Sequence, residues 1–361
     1  MKQDNKLLGL LAGSALAIFA VAVTAQDEAA APAEAAPAET ELAPEAAADA
    51  APVEEAAAEA APEEAAAPPV KPLPAEIMPL ASRSLLLDVV NTGERLVAVG
   101  DRGHILVSNN GKDWAQVVVP VRSALTAVTF TDPKNGWAVG HDAVILHTQD
   151  GGKTWALQNF QPQLEKPLLD VLFLDTSRGL AVGAYGLFYE TTDGGQNWTE
   201  VQTPIRAEEL HFNSIARLNN GDLLIAGEQG TLAISADGGT SWTKLTSPYE
   251  SSLFGAVALG EKGAVIFGLR GNVYVSGEPR SNSWTKVDTG TVASMFGGVA
   301  TADGGVAMVG LNGTVLVMDG SGGNLRSLRS TAGTPLSGAI TLGAQSLLAV
   351  GESGAQSVKL Q

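Results

Sequence analysis

The chain has 361 residues and a formal net charge of −17, but most of the excess charge lies in one segment. Between Gln26 and Val70 there are 12 acidic residues and no Lys or Arg, whereas from Lys71 onward 20 basic residues face 26 acidic ones. This balance argues against general nucleic-acid binding. The absence of Cys excludes disulfides, thiolate metal sites and a lipid-modified N-terminal Cys.

The N-terminus has the order of a secretory signal. Lys2 and Lys6 precede an apolar stretch from Leu7 to Val23, and Ala25 ends a small-residue cleavage sequence. We therefore predict a signal peptide over residues 1–25 and an exported protein, periplasmic or otherwise extracytoplasmic. An uncleaved anchor is the alternative, because the stretch is close to the roughly 20 residues that a membrane span needs.

Residues 26–71 are rich in Ala, Pro and Glu. Frequent Pro interrupts every stretch that Ala and Glu would favour as helix, and the segment lacks the bulky apolar residues of a core. This composition predicts a disordered, low-complexity linker. The alternative is an acidic docking tail for a basic partner.

A repeat dominates the rest of the sequence. A short apolar run ending in Gly recurs seven times, at intervals of 40 to 44 residues. The seven glycines are Gly100, Gly140, Gly183, Gly227, Gly268, Gly310 and Gly351. About 40–50 residues is the length of a four-stranded propeller blade. We predict an all-β fold, a seven-bladed β-propeller over residues 72–361.

Each repeat has the same internal order: a strand with small residues, the run ending in Gly, a third strand, a Gly-rich turn and a Trp that opens a fourth strand. Three copies of the turn are complete, and we expect their Asp to accept hydrogen bonds from the turn and their Trp to be buried in its own hairpin. These structural residues are Asp150, Gly152 and Trp155, then Asp193, Gly195 and Trp198, then Asp237, Gly239 and Trp242.

The last repeat ends in its third strand, at Leu360. The segment from Ala75 to Arg83 resembles the one that follows Trp114, which continues Ala-Gln-Val-Val-Val-Pro-Val-Arg. We therefore predict that Glu76 to Leu80 supplies the outer strand of the last blade and closes the ring, which would remove an exposed sheet edge.

The turn pattern Thr/Ser-x-Asp-x-Gly-x-x-Trp is the Asp-box, or bacterial neuraminidase repeat. Together with the preceding Gly-Trp-Ala-Val-Gly run that ends at Gly140, it resembles the photosystem II stability and assembly factor family of seven-bladed propellers. The resemblance covers roughly residues 75–360. It implies a protein that binds a membrane-protein precursor during complex assembly; some relatives are encoded near exporters.

Propeller ligands usually bind the face formed by loops that lead into first strands and by turns between second and third strands. The first group contains Arg83, Arg122 and Arg206, and the second contains Arg102, His141, Tyr185 and Arg270. Arg binds carboxylates and carbonyls of peptides, so these seven residues are the candidate partner-binding residues. The alternative is that they are solvated loop residues.

Two functions are consistent with this pattern. The first is a non-catalytic extracytoplasmic scaffold or assembly factor, whose partner is a membrane protein or an exporter complex of the envelope. The second is a glycoside hydrolase of sialidase type, which needs an Arg cluster, a Tyr–Glu nucleophile pair and an acid Asp. The usual Arg-Ile-Pro signature is absent from the first repeat, and sialidases have six blades. We therefore favour the scaffold and predict no cofactor, metal ion or nucleic acid; the sequence identifies no small-molecule substrate.

Overall fold

The computed structural model describes residues 70–360, which form a seven-bladed β-propeller. The predicted signal and residues 26–69 of the predicted linker lie outside the described residues. Each blade is an antiparallel sheet of consecutive strands, and the first strand of every blade contacts the first strands of both neighbouring blades. This confirms the fold that the repeat predicts. The described part of the chain contains no α-helix.

Blades 1 to 4 comprise β1 Leu86–Asn91, β2 Leu96–Gly100, β3 Ile105–Ser108, β4 Ala115–Val117; β5 Leu125–Phe130, β6 Gly136–Gly140, β7 Ile145–Thr148, β8 Ala156–Asn159; β9 Leu168–Phe173, β10 Gly179–Gly183, β11 Phe188–Thr191, β12 Thr199–Glu200; β13 Phe212–Arg217, β14 Leu223–Gly227, β15 Leu232–Ser235, β16 Thr243–Lys244. Blades 5 to 7 comprise β17 Leu253–Leu259, β18 Gly263–Gly268, β19 Val273–Ser276, β20 Thr285–Val287; β21 Met295–Ala300, β22 Val306–Gly310, β23 Thr314–Met318, β24 Leu325–Arg329; β25 Leu336–Thr341, β26 Ser346–Gly351, β27 Gly354–Lys359. Single 3-10 turns span Ala81–Arg83, Asp101–Gly103, His141–Ala143, Pro162–Leu164, Ala184–Gly186, Pro204–Arg206, Glu228–Gly230, Leu269–Gly271, Pro279–Ser281 and Leu311–Gly313.

The second strand of each blade forms the core. All five residues of β2, from Leu96 to Gly100, are buried, and β6, β10, β14 and β22 show the same pattern. These strands are continuous apolar runs because both of their faces pack against neighbouring blades. The fourth strands are short and mostly exposed.

Two carboxylates link first strands of adjacent blades. Asp88 accepts hydrogen bonds from the backbone N–H groups of Val89, at 2.8 Å, and of Val128 in the next blade, at 2.9 Å. Asp170 makes the matching contacts with its own strand and with β13. Burial raises the pKa of Asp88 to about 7, and the negative charge of Asp170 contributes to the rise. Burial likewise raises the pKa of Asp170 to about 6.

The predicted Asp-box turns join the third and fourth strands of blades 2, 3 and 4. In blade 4, Asp237 accepts hydrogen bonds from the hydroxyl of Ser241 at 2.6 Å and from its N–H at 2.9 Å. These bonds hold the pKa of Asp237 below its usual value. Trp242 is buried, and its Nε1 donates to the carbonyl of Gly239 at 3.1 Å. The turn therefore has the bonding that its sequence predicts.

Trp155 in blade 2 makes the same bond to Gly152, at 3.1 Å, and is buried. For Trp198 the prediction is wrong, because this side chain is only half-buried and its Nε1 donates to Oε1 of Gln158 in blade 2, at 3.4 Å. The Gln158 amide lies against Gly195, where a Cβ would be 2.0 Å from Oε1. A side chain from the neighbouring blade has thus replaced the expected contact within the hairpin.

The predicted closure of the ring by Glu76 to Leu80 is wrong. Among the described residues the last blade has three strands, and no strand pairs with the outer edge of β27. The segment lies on blade 1 instead: the Ala75 N–H donates to Val119 O at 2.9 Å, and Gln116 accepts from Met78 N–H and donates to Glu76 O, both at 2.8 Å. Pro74 and Pro79 have no N–H to donate to a neighbouring strand, so this segment is poorly suited to pairing along a strand edge.

Blade 7 packs against blade 1 through a shared hydrophobic cluster that includes Leu86, Leu96, Leu348 and Val350, and two polar contacts lie beside it. The Ser337 hydroxyl donates to Leu86 O at 2.6 Å, which links β25 to β1. The Ser82 carbonyl lies over Gly354 at the start of β27, where a Cβ would be 2.0 Å from this oxygen. The entry into blade 1 therefore contributes a loop to blade 7, and a strand is not needed for the contact.

The two kinds of Asp-box Trp should differ in their effect on stability. We expect Trp242→Ala to lower the free energy of unfolding by about 3–5 kcal/mol, since a buried indole and its hydrogen bond are lost. Trp198→Ala should cost clearly less, because that side chain is less buried than Trp242 and its Nε1 bonds to Gln158 and not to its own hairpin. Urea denaturation followed by circular dichroism measures both, and equal losses would contradict this assignment.

The inner carboxylates should make stability depend on pH. The folded state binds their protons more tightly than the unfolded chain, whose Asp residues have a pKa of about 3.9. This stabilisation is complete below about pH 4 and is lost as the pH rises through about 6 to 7. We expect Tm to fall across that range, and Asp88→Asn to flatten the fall. Differential scanning fluorimetry tests this, with Glu94→Gln, the loss of an exposed carboxylate, as the control. If Tm falls with pH as steeply in Asp88→Asn as in the unsubstituted chain, Asp88 does not have this role.

Candidate partner-binding face

Two groups of loops lie at the same end of the strands. In each blade, the N–H that follows the second-strand Gly donates to the carbonyl just before the first strand, as Asp101 does to Leu85 at 3.1 Å. The loop that leads into the next blade packs on the same turn, since the Val121 carbonyl lies over Gly103. We call this end of the propeller the upper face. The Asp-box turns connect the opposite ends of the strands.

Arg83, Arg102 and Arg270 are exposed on the upper face. Arg83 ends the 3-10 turn Ala81–Arg83, which leads into blade 1. Arg102 and Arg270 each occupy the middle of the turn that follows the second strand, in blades 1 and 5. Arg102 has a weak ion pair with Asp101, at 3.5 Å, and its side chain is 62% exposed. These guanidinium groups are therefore accessible to a carboxylate or carbonyl.

Tyr185 lies at the position in blade 3 that Arg102 occupies in blade 1, and the residue is 51% exposed. His211 meets the ring edge-on at 4.7 Å, and the Lys166 ammonium lies 5.6 Å from the ring centre. The Glu228 carboxylate accepts a hydrogen bond from the backbone N–H of His211 at 3.2 Å. The phenol, an imidazole and an ammonium thus meet at the junction of blades 3 and 4.

Sequence reasoning missed Lys166 and His211. Both stand in loops that lead into first strands, Lys166 two residues before β9 and His211 directly before β13. The rule that selected Arg83 and Arg122 applies to them equally. Searching the loops for every cationic side chain, and not mainly for Arg, would have found them.

His141 is the first residue of the turn in blade 2 and is half-buried. Burial lowers its pKa, while the nearby carboxylates Asp142 and Asp101 act in the opposite direction. The side chain is therefore predominantly neutral at physiological pH. It contributes a hydrogen-bonding group and no positive charge to the upper face.

The remaining candidates, Arg122 and Arg206, bond to the propeller itself. Arg122 donates from Nε to Pro74 O at 2.8 Å and pairs with Glu76 at 2.9 Å. Arg206 is largely buried; it donates to Gly186 O and Val201 O, both at 2.6 Å, and pairs with Glu200. These contacts hold the N-terminal segment and the loop of blade 3 in place.

A shallow open groove lies beside Arg270 in blade 5. Its walls are the turn that carries Arg270 and the loop from Val287 to Val292, and Lys286 adds a second positive charge. Val292 is 84% exposed. The groove therefore combines positive charge with an uncovered apolar side chain.

One Ser–His pair lies beneath the face. The Ser84 hydroxyl is 2.9 Å from His104 Nδ1 and 2.7 Å from Ala81 O. His104 is only 2% exposed, and burial lowers its pKa. A substrate cannot reach this imidazole without rearrangement of the loop, so the pair serves the packing of the loop.

Within residues 70–360, no group of three or more His, Cys, Asp or Glu is placed to hold a metal ion. No helix in this part of the chain is long and apolar enough to cross a membrane. The chemistry that the upper face offers is hydrogen bonding from exposed guanidinium, ammonium and phenol groups.

Comparison with known proteins gives a family match. The family model described as photosynthesis system II assembly factor YCF48 matches residues 106–165 and 156–329. The photosystem II stability/assembly factor HCF136 of Cyanidioschyzon merolae is 34% identical over 87 residues, 22% of this chain and 20% of that protein. The photosystem II assembly protein Ycf48 of Synechococcus sp. is 43% identical over 47 residues, 12% of this chain and 14% of that one. The chain thus matches a fifth or less of the length of these relatives.

Solved structures share the fold. A structure described as YCF48 bound to D1 peptide has a TM-score of 0.64 and 17% identity, covering 81% of this chain and all of that one. YCF48 from Cyanidioschyzon merolae has a TM-score of 0.62 and 20% identity, covering 77% of this chain and 95% of that one.

The different environments of the Arg residues predict different effects on stability. Arg206→Ala should lower the free energy of unfolding by about 1.5–3 kcal/mol, because buried carbonyl groups lose a charged donor. Arg270→Ala should change it by less than about 0.5 kcal/mol, as expected for a surface side chain. Urea denaturation compares the two, and a neutral Arg206→Ala would show that its contacts contribute nothing.

Proposed function

We propose that this chain, which belongs to the photosystem II assembly factor Ycf48 family, is a non-catalytic assembly factor that binds a membrane protein or its precursor through the upper face. The observation that carries the proposal is the set of exposed Arg83, Arg102 and Arg270 on a face whose backbone is fixed by the propeller.

Each of these guanidinium groups can form charge-assisted hydrogen bonds with a carboxylate or a backbone carbonyl. Such bonds contribute about 1.5–3 kcal/mol each, so two or three of them suffice for a specific interaction of modest affinity. The seven blades surround these groups with a broad and rigid surface. A surface of this kind suits an extended segment of a protein better than a small molecule.

The solved neighbour described as YCF48 bound to D1 peptide supports this function, since a propeller of the same fold holds a peptide. The named relatives are assembly factors, which favours a membrane-protein partner for this chain. An exporter complex as the partner stays a prediction.

The surroundings of Tyr185 also favour a non-catalytic role. A sialidase-type mechanism needs a Tyr activated by a Glu beside an Arg cluster. Here Tyr185 contacts His211 and Lys166, while Glu228 bonds to the His211 N–H. Arg206, the candidate Arg of this blade, bonds to carbonyl groups beneath the surface.

The extracytoplasmic location is part of the proposal and rests on the sequence of residues 1–25. An alkaline phosphatase fusion to residues 1–72 tests it, because this enzyme is active only after export. Activity in whole cells would support the location, and an inactive fusion in a strain that exports a control fusion would overturn it.

Affinity capture from the native envelope tests the function. The full chain should recover a membrane protein from detergent-solubilised membranes. The triple variant Arg83→Ala/Arg102→Ala/Arg270→Ala should recover at least about tenfold less of this membrane protein, since each lost charge-assisted bond weakens binding. Quantitative mass spectrometry measures the recovered protein.

A charge-matched control separates the face from its charge. Three exposed cationic residues lie outside the upper-face loops: Arg217 ends β13, Lys262 lies in the turn between β17 and β18, and Arg326 lies in the outer strand β24. Their triple Ala variant should recover as much partner as the unsubstituted chain. Full recovery by the Arg83/Arg102/Arg270 variant would place the binding surface elsewhere.

A further inference from the structure

The outer edge of blade 7 differs from the outer edges of the other six blades. In blades 1 to 6 a fourth strand covers the third, and these outer strands have two to four residues, except β24, which has five and carries Arg326 and Arg329. In blade 7 the outermost described strand is β27, Gly354–Lys359, with six residues and one charge, on Lys359. Proteins protect open sheet edges by short strands, Pro or charged side chains. Of the seven outer edges, β27 is therefore the longest and has little such protection.

Two residues of β27 direct their backbone groups to the open edge. The N–H of Leu360, directly after β27, donates to Gln345 O at 2.9 Å, on the side of β26. In an antiparallel pair, residues that bond to the neighbouring strand alternate with residues whose N–H and C=O point away from it. The N–H and C=O groups of Ser357 and Lys359 therefore point outward, where no described strand pairs with them. Leu360 is also buried in the core between blades 6 and 7, so the edge is fixed in place.

An apolar surface borders this edge. Eight large apolar or aromatic side chains are exposed among the described residues, and five of them lie in the segment before blade 1 or beside it. They are Leu73, Ile77, Met78, Leu80 and Val118. The turn Ala81–Arg83 that follows this segment contacts both β4 and β27. Clustered apolar side chains on a surface mark an interaction site, and this cluster lies next to the open strand.

The rest of the chain is poorly suited to cover β27. The segment before blade 1 contains Pro72, Pro74 and Pro79 and is bonded to blade 1. Residues 26–69 are rich in Pro, Ala and Glu, which are unfavourable in strands. A strand from a second molecule must therefore supply the missing backbone partners.

A second copy of this chain has a strand that fits. Two identical edge strands pair antiparallel about a two-fold axis, the commonest symmetry of protein dimers. When Ser357 lies opposite its counterpart in the second copy, Lys359 lies opposite Ala355. No like charges then face each other, which would weaken the pair. The antiparallel direction also brings the start of each β27, and the apolar segment beside it, next to the end of the other β27.

We propose that two copies of this chain form a symmetric dimer through antiparallel pairing of their β27 strands, with three strands of each blade 7 in one continuous sheet. The side chains of Ile77, Met78 and Leu80 extend the interface beyond the strands. Stable interfaces bury about 1,200 Å² or more, so the backbone pairing needs this apolar extension. The dimer uses the outer rim of blade 7 and does not depend on a partner at the upper face.

The variants Ser357→Glu and Ser357→Lys test the pairing of the strands. Each variant places two like charges opposite each other in the dimer, so each should raise the dissociation constant of the dimer by about fivefold or more. An equimolar mixture of the two variants should recover the dimer, because opposite charges then meet across the two-fold axis. Sedimentation velocity over a wide range of protein concentration measures all three samples.

The matched controls are Ser327→Glu and Ser327→Lys. Ser327 is likewise an exposed Ser in the outermost strand of its blade, β24 of blade 6. These variants should dimerise as the unsubstituted chain does. Circular dichroism checks the fold of every variant, which we expect to be retained because Ser357 and Ser327 are both exposed.

The apolar extension has a separate test. The double variant Ile77→Ser/Leu80→Ser should raise the dissociation constant by about tenfold, since the apolar area that the dimer buries is lost. Val292→Ser is the control, because Val292 is exposed in blade 5, far along the chain from this segment. It should leave the dissociation constant unchanged.

A photo-cross-linking residue at position 357 identifies the occupant of the edge in the native envelope. A cross-link between two copies of the chain supports the dimer, and a cross-link to a different protein alone overturns it. The inference also fails if the unsubstituted chain is monomeric at every concentration. It fails equally if the mixture of Ser357→Glu and Ser357→Lys dimerises no better than each variant alone.

Discussion

The contact on which the upper face depends is between a glycine and a backbone carbonyl, and every blade has it. A Cβ on Gly100 would lie 2.2 Å from Leu85 O, and one on Gly310 would lie 2.0 Å from Ser294 O. The equivalent glycines are Gly140, Gly183, Gly227, Gly268 and Gly351. Gly140 and Gly183, for example, have extended φ angles that any residue can adopt. The close approach of the carbonyl, and not the backbone conformation, therefore excludes a side chain. The next N–H bonds to the same carbonyl, and this fixes the turn.

The same contact explains why the fold could be predicted from the sequence. Because it occurs once in each blade, an apolar run ending in Gly must recur at the length of a blade. The Asp-box is equally local, since Asp237 and Ser241 are four residues apart. A contact made within one repeat leaves its pattern in that repeat, and the seven copies confirm one another. The number of blades and the ends of the second strands followed from this.

The features that could not be predicted each depend on the contacts of a single side chain. Gln116 holds the N-terminal segment on blade 1. Gln158 accepts the hydrogen bond from the Trp198 indole that we expected within the hairpin of blade 3. Arg206 was a sound candidate by position, yet its guanidinium reaches two carbonyl groups below the surface. The repeat cannot predict such contacts, because each of them occurs only once. The distance along the chain between the two bonded residues also follows from neither strand length nor turn type.

A face built in this way has a thermodynamic advantage for binding. Its turns are fixed by the propeller, so a partner orders only the exposed side chains and not the loops that carry them. The fold supplies that rigidity through backbone contacts shared by all blades, which leaves the middle residue of each turn open to variation. Residues at these positions contribute little to the core, and four of them, Arg102, Tyr185, Gln229 and Arg270, have a positive φ that their residue types rarely adopt. Where a sequence is locally inconsistent with a fold that it otherwise specifies well, a functional role for those side chains is the first explanation to test.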